Sequence, residues 1–285
     1  MILVTGATGT NGKELVKLLA SRNVPLSAMV RSTDKPKEIA KLPGVEAVAE
    51  DFDDPDSTAR ALQGVERAFL LTNSTERAEA QQCNFVGAAA RAGVRRIVKL
   101  SQHGASEASP VRFLRYHAAV ERAIEQSGMA YTFLRPNLYM QGLLAFAKPI
   151  REQGVFFAAA GDPKVSVVDA RDNVAVAAAA LTGSGHEGRI YALTGPAALT
   201  HAEMAAGLTD TLRRPASFID ISPEAMREAL LGMHVPAWQA DGLIEDYAHY
   251  RRGKAAAVIP GVQDATGEPP RDFAAFARDY AFAFS

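Results

Sequence analysis

Val4-Thr5-Gly6-Ala7-Thr8-Gly9-Thr10-Asn11-Gly12 decides the fold. It follows a short apolar run, Ile2 to Thr5. It opens a segment, Asn11 to Ser21, whose Leu15, Val16, Leu18, Leu19 and Ala20 suit a helix. The order is therefore strand, glycine turn, helix. Gly6 allows the tight turn, Gly9 lets backbone approach a pyrophosphate, and Gly12 lets the helix pack on the sheet. A helix N-terminus also offers free N–H groups and a positive dipole end to phosphates. The spacing is G-x-x-G-x-x-G, not the G-x-G-x-x-G of typical dehydrogenases, but the structural context is met. Gly6, Thr8, Gly9, Thr10, Asn11 and Gly12 are the expected phosphate-binding residues of a dinucleotide site.

Outward from this loop, short apolar runs alternate with helical segments. Strands are expected at Ser27–Val30, Val45–Ala49, Glu66–Leu71, Arg95–Leu100, Tyr131–Leu134 and Arg189–Leu193. Helices are expected at Gln81–Ala92, Val111–Gln126, Asn137–Lys148 and Asn173–Leu181, the last with Asp172 as N-cap. This alternation predicts an α/β protein: a Rossmann doubly wound parallel sheet with a smaller, mostly helical C-terminal lobe. Residues 1–150 form the expected dinucleotide-binding domain, with 165–195 returning to the sheet and 196–285 as the substrate lobe. Thr200 and Glu203 fit a capping box, and Pro260 to Pro270 reads as a loop.

Composition narrows the partners. The 285 residues carry a net charge of −1 and 48% hydrophobic residues, ordinary for a globular protein with a real core. Near-neutral charge gives no reason to expect nucleic acid or an anionic membrane. The single cysteine, Cys83, excludes an intramolecular disulfide and a cysteine zinc cage, and the histidines show no metal-ligand spacing. The longest purely apolar run, Val174 to Leu181, is too short to span a bilayer. The apolar run beginning at Ile2 speaks against a signal peptide, so a cytoplasmic protein is expected.

NAD-binding folds place an acidic residue at the end of the second strand. Here Arg31 stands there, followed by Lys35 and Lys37. A cationic cluster with a bidentate Arg suits a 2′-phosphate, so NADPH is expected over NADH. Asp51 and Phe52 would flank the adenine, unless Asp51 only caps the following turn. Thr72 and Asn73 end the fourth strand and would line the nicotinamide-side ribose, or form a polar turn.

With these residues, the chain resembles the NmrA-like branch of the atypical short-chain dehydrogenases/reductases. The matching stretches are Thr5–Gly12, Val30-Arg31, Glu50–Asp54, Arg95–Ser101, His117–Glu121, Tyr131–Pro136 and Asp169–Asp172. The resemblance implies NAD(P)H-dependent reduction of quinones, triphenylmethane dyes or azo compounds. Ordinary members use Tyr-x-x-x-Lys on one helix face. Here the pair is Phe113 and His117, so the usual proton donor is missing. His117 is expected to bind the nicotinamide ribose or relay a proton, with Glu121 as its partner at i, i+4. Ser101 matches a substrate-polarising Ser/Thr. Pro136, Asn137 and Tyr139 should wall the nicotinamide face, with Asn137 or Tyr139 touching a small-molecule substrate. Conjugated acceptors delocalise the incoming charge and need no strong acid. The missing Tyr equally suits a non-catalytic NADP(H)-sensing regulator that binds a protein partner. A homodimer stays open.

Overall fold

The structure is a computed structural model and describes residues 1–30, 38–49 and 51–285. In order come β1 (Ile2–Val4), α1 (Thr10–Ser21), β2 (Leu26–Val30), β3 (Val45–Ala49), α2 (Pro55–Ala61), β4 (Arg67–Leu70), α3 (Ala78–Arg91), β5 (Arg96–Leu100), α4 (Arg112–Gln126) and β6 (Ala130–Pro136). A 3-10 helix (Met140–Phe146), α5 (Ala147–Gln153), β7 (Val155–Ala158), α6 (Ala170–Thr182) and β8 (Arg189–Leu193) follow. The rest is α7 (His201–Leu212), β9 (Ser217–Asp220), α8 (Pro223–Gly232), α9 (Ala237–Arg251), α10 (Gly261–Thr266), α11 (Phe273–Asp279) and α12 (Ala281–Phe284).

Seven strands form one sheet in the order β3-β2-β1-β4-β5-β6-β8. The pairings from β3 through β6 are parallel. β1 and β2 are buried along their whole length, as an apolar run covered on both faces must be. The order of succession reverses between β1 and β4, which opens a crevice at their carboxyl ends. There the Thr5 hydroxyl both donates to the Leu71 carbonyl and accepts from the Leu71 N–H, each at 2.8 Å. This pair of hydrogen bonds joins the two strand ends that flank the glycine turn.

The chain divides into two compact units. The first holds residues 1–108, 114–135 and 173–191. Leu3, Ala68, Leu70, Phe85, Ile97, Val120 and Phe133 lie in its core. The second holds residues 109–113, 136–172 and 192–285. Its core gathers Phe156, Leu208, Phe273, Phe276 and Phe284, and β7 pairs with β9 in a two-stranded parallel sheet. The Thr200–Glu203 capping box starts α7 as expected.

Three local expectations are corrected and one strand is added. Residues 137–148 do not make one helix: the chain forms the 3-10 turn and then α5. Pro260 to Pro270 is not all loop, because α10 lies inside it, with Pro260 before it and left-handed Gly267 just past it. These residues punctuate a helix, although their composition is that of a loop. Asp172 does not cap α6: the Arg171 N–H donates to Asp169 Oδ1 at 2.9 Å, so Asp169 does. Asp172 instead accepts from the backbone N–H and guanidinium of Arg271. β9 was not expected, since Ser217–Asp220 is largely exposed and pairs with a strand some 60 residues earlier.

Candidate active site

The glycine turn has the geometry its residues require. Gly6 sits at φ +60°, in the region that favours glycine. A Cβ at Gly12 would stand 2.1 Å from the Gly6 carbonyl oxygen, so only glycine fits. At Gly9 the nearest atom to a Cβ is 3.4 Å away, so the protein leaves that face open. Gly9 is also the N-cap of α1, with no side chain bonded there and no acidic residue in the first turn. The first N–H groups of α1 therefore lack an internal partner, and Thr8, Gly9 and Thr10 are exposed beside them. Among the described residues, the Oδ1 of buried Asn11 has no partner. An uncapped helix start behind an open glycine turn fits a dinucleotide pyrophosphate.

Around it, Asp51 closes a local turn, its Oδ1 accepting from the Asp53 N–H at 3.0 Å. Phe52 stacks obliquely on Phe85, with ring centroids 5.7 Å apart. Arg31 and Lys35 lie outside the described residues. At the end of β4, Asn73 is exposed and half-buried Thr72 accepts from Gln82 Nε2 at 2.8 Å.

Thr72 begins a chain of contacts that the sequence did not suggest. Gln82 lies on the buried stripe of α3 with Ala78, Phe85, Val86 and Ala89. Its Oε1 accepts from Lys99 Nζ at 2.7 Å. Lys99, on β5, is completely buried; its Nζ also donates to the Leu100 carbonyl at 3.2 Å and meets His117 Nδ1 at 3.1 Å. Burial lowers the Lys99 ammonium to about 7, against the opposing pull of the Glu121 carboxylate and Cys83. His117 is held well below its ordinary range by burial and by the charges of Lys99 and Arg135. It is neutral at physiological pH. An ammonium has three donors and no lone pair, so a charged Lys99 makes His117 Nδ1 an acceptor. The ring proton then sits on Nε2, which is left for an outside partner.

Glu121 does not pair with His117. Its carboxylate takes Arg135 from β6, Nε donating to Oε1 at 3.0 Å and Nη2 to Oε2. Arg135 is raised by that bond. Tyr116 is buried, its hydroxyl 3.0 Å from Ser74 Oγ. Ser101, next after β5, is buried with an Oγ that has no partner among the described residues, a second such polar atom in the first unit. Thr72, Gln82, Lys99 and His117 are thus one connected network.

The remaining expected residues lie in the second unit. Pro136 and Asn137 are buried. The Asn137 amide is fully engaged: Nδ2 donates to Ser166 Oγ and the Ala255 carbonyl, each at 2.8 Å, and Oδ1 accepts from the Leu138 N–H. Tyr139 borders a small apolar cavity of about 40 Å³ with Met140, Phe156, Met204 and His201. Phe113, in the place of the usual Tyr, packs on Trp238 with centroids 5.5 Å apart. Among the described residues no cluster of three His, Cys, Asp or Glu could hold a metal, and no helix is long and apolar enough to cross a membrane.

A doubly wound sheet, a glycine cradle at its switch point and an orphaned strand-end serine define a dinucleotide-binding protein of the short-chain dehydrogenase/reductase type. Comparison with known proteins narrows this. A profile of the NmrA-like family matches residues 1–254, and the chain belongs to that family. It is 40% identical over 284 residues to the NAD(P)H azoreductase of Xenophilus azovorans, covering 100% of this chain and 99% of that one. A crystal structure of the NADPH-dependent quinone oxidoreductase of Escherichia coli complexed with NADPH superposes with a TM-score of 0.88 at 30% identity, over 99% of this chain and 100% of that one. The Citrobacter sp. triphenylmethane reductase complexed with NADP(H) gives 0.85 at 28% identity, over 99% and 100%.

Proposed function

We propose that this chain is an NADPH-dependent reductase that passes hydride to a quinone or another conjugated small molecule. The observation that carries this is the pairing of an intact glycine cradle with a site that lacks the Tyr donor: position 113 is a packed Phe and position 117 a neutral His. Such a site suits acceptors that delocalise the incoming charge. Its relatives act in name on azo compounds, quinones and triphenylmethane dyes.

Bound NADPH supplies the hydride. The α1 N-terminus with Thr8, Gly9 and Thr10 holds the pyrophosphate, and Arg31 and Lys35 hold the 2′-phosphate. Asp51 and Phe52 border the adenine. Thr72 and His117 Nε2–H bind the nicotinamide-side ribose, with Asn73 and Pro136 adjoining. Ser101 Oγ, which has no other partner, donates to the acceptor. Tyr139 contacts the acceptor as well, whereas the Asn137 amide is already engaged and serves to fix its own backbone turn. Residues 1–150 and 165–195 bind the cofactor, and 196–285 shape the acceptor site. One half-buried cysteine suits a reducing cytoplasm, where we place the enzyme as a monomer or homodimer.

Steady-state NADPH oxidation against quinones, azo dyes and triphenylmethane dyes, with NADH alongside, tests this reading. Acceptor-dependent turnover that prefers NADPH is expected. NADPH binding without turnover on any acceptor would overturn it. The second reading, a redox sensor with a protein partner, would then stand if NADPH and NADP⁺ bound with unequal affinity.

A further inference from the structure

Lys99 has no role in the reading above, yet it is the most fully enclosed charged group of the network. It is 0% exposed, and Gln82, Leu100 and His117 supply an acceptor to each of its three protons. Gln82 and a main-chain carbonyl do not carry protons at neutral pH. His117 does, on one ring nitrogen, and it is 8% exposed where Lys99 is 0%. We propose that Lys99 is a positioning residue that fixes His117 as the Nε2–H tautomer and refills it with a proton each time that proton is given to the acceptor. This rests on the reductase reading.

Reduction of a quinone takes a hydride and a proton: NADPH + quinone + H⁺ gives NADP⁺ + hydroquinone. The His117 Nε2–H proton passes to the quinone oxygen as a Lys99 proton passes to Nδ1. The ring stays neutral throughout, so its resistance to becoming an imidazolium is no obstacle. Lys99 is left as a neutral amine. A solvent proton then returns at Nε2, and the Nδ1 proton moves back to Lys99. The groups that set this exchange face Lys99 from three elements: His117 and Glu121 on α4, Cys83 on α3, and Arg135 on β6 acting through His117. Burial brings Lys99 to about 7 against the upward pull of Glu121 and Cys83, and there it both gives and regains a proton.

A cationic triphenylmethane dye supplies the control, because hydride alone makes it neutral and no proton is consumed. Lys99→Met should lower 1,4-naphthoquinone turnover by about 10²-fold more than malachite green turnover, the usual scale of general-acid help. In the wild type, naphthoquinone turnover should fall above about pH 7 while dye turnover does not follow. Lys99→Arg keeps the charge and the donors but never releases its proton. It should show the same split, and it serves if Lys99→Met does not fold.

Nitrogen-15 spectra of cofactor-free protein give a readout apart from turnover. At pH 6, His117 Nδ1 should be unprotonated and Nε2 protonated, and Lys99→Met should abolish that preference. Equal losses on quinone and dye, or a proton on Nδ1 at pH 6 in the wild type, would overturn the proposal. A wild type that reduces neither acceptor would overturn the reductase reading instead, and the nitrogen spectrum would still decide the tautomer.

Discussion

Gly12 faces Gly6 across the first turn so closely that a Cβ at position 12 would lie 2.1 Å from the Gly6 carbonyl oxygen, whereas one at Gly9 would meet it at 3.4 Å. The two glycines are therefore required for different reasons. Gly12 serves the packing of α1 on its own turn. Gly9, at φ −83° and ψ 174°, adopts a conformation open to any residue, so in the proposed reading its missing side chain serves a ligand. Gly9→Ala should keep the wild-type Tm and weaken NADPH binding at least about tenfold by fluorescence titration, the effect of roughly 1.4 kcal/mol. Gly12→Ala should lose both Tm and binding. A Gly9→Ala protein that binds NADPH as tightly as the wild type would remove the pyrophosphate from that face.

In the proposed reading, Arg31 carries the choice between the two nicotinamide cofactors. A phosphate gripped by a guanidinium is a charge-assisted contact worth roughly 1.5–3 kcal/mol. Arg31→Ala should raise the NADPH Kd by about ten- to a hundredfold and leave the NADH Kd nearly unchanged. Equal losses for both cofactors would show that Arg31 supports the loop and not the phosphate.

What the sequence reveals divides along the distance over which residues interact. The glycine turn, the strand–helix alternation and the Thr200–Glu203 cap are local patterns, and the fold follows from them. Lys99 is a different case. Within Arg96-Ile-Val-Lys-Leu100 it looks like a polar interruption of a strand. Only the sheet, covered on both faces, shows that it is buried, and its partners Gln82 and His117 come from two separate helices. The signal within reach was a lone Lys inside a parallel strand, which must find acceptors. Glu121 misled for the same reason: His117 lies at i−4 on its helix, but Arg135 from the next strand offers a bidentate partner that imidazole cannot.

Phe113 raises the question of whether a hydroxyl restored at this position would restore the ordinary dehydrogenase chemistry. Its Cζ points at Gly242, where even a Cβ would come within 2.3 Å. A hydroxyl on that carbon has no room. Phe113→Tyr should destabilise the protein by roughly 1–3 kcal/mol, as overpacking does, and give no oxidation of secondary alcohols with NADP⁺. Gly242→Ala should cost a similar amount, read from urea unfolding midpoints. Wild-type stability in both variants would mean that the ring and α9 yield to each other.

Lys99 also leaves a mark on stability that needs no substrate. Its folded-state pKa, about 7, lies below the ordinary lysine value of 10.5. Between those two values the unfolded chain keeps the proton and the folded chain has released it. More protons on the unfolded state make the free energy of unfolding rise with pH. Below pH 7 both states hold the proton and this contribution is flat. His103, His117, His186 and His201 are lowered by burial and act in the same sense, but only until the unfolded histidines have lost their protons by about pH 7.5. Cys83 and Tyr247 are raised by burial and act in the opposite sense only at higher pH, so the window from about 7.5 to 8.5 belongs to Lys99. Urea unfolding of the wild type across that window should show stability climbing by up to about 1.4 kcal/mol per pH unit, the limit for one proton. In Lys99→Met that rise should be absent. A slope that survives the substitution would assign the titration to another group and would show that Lys99 keeps its proton throughout.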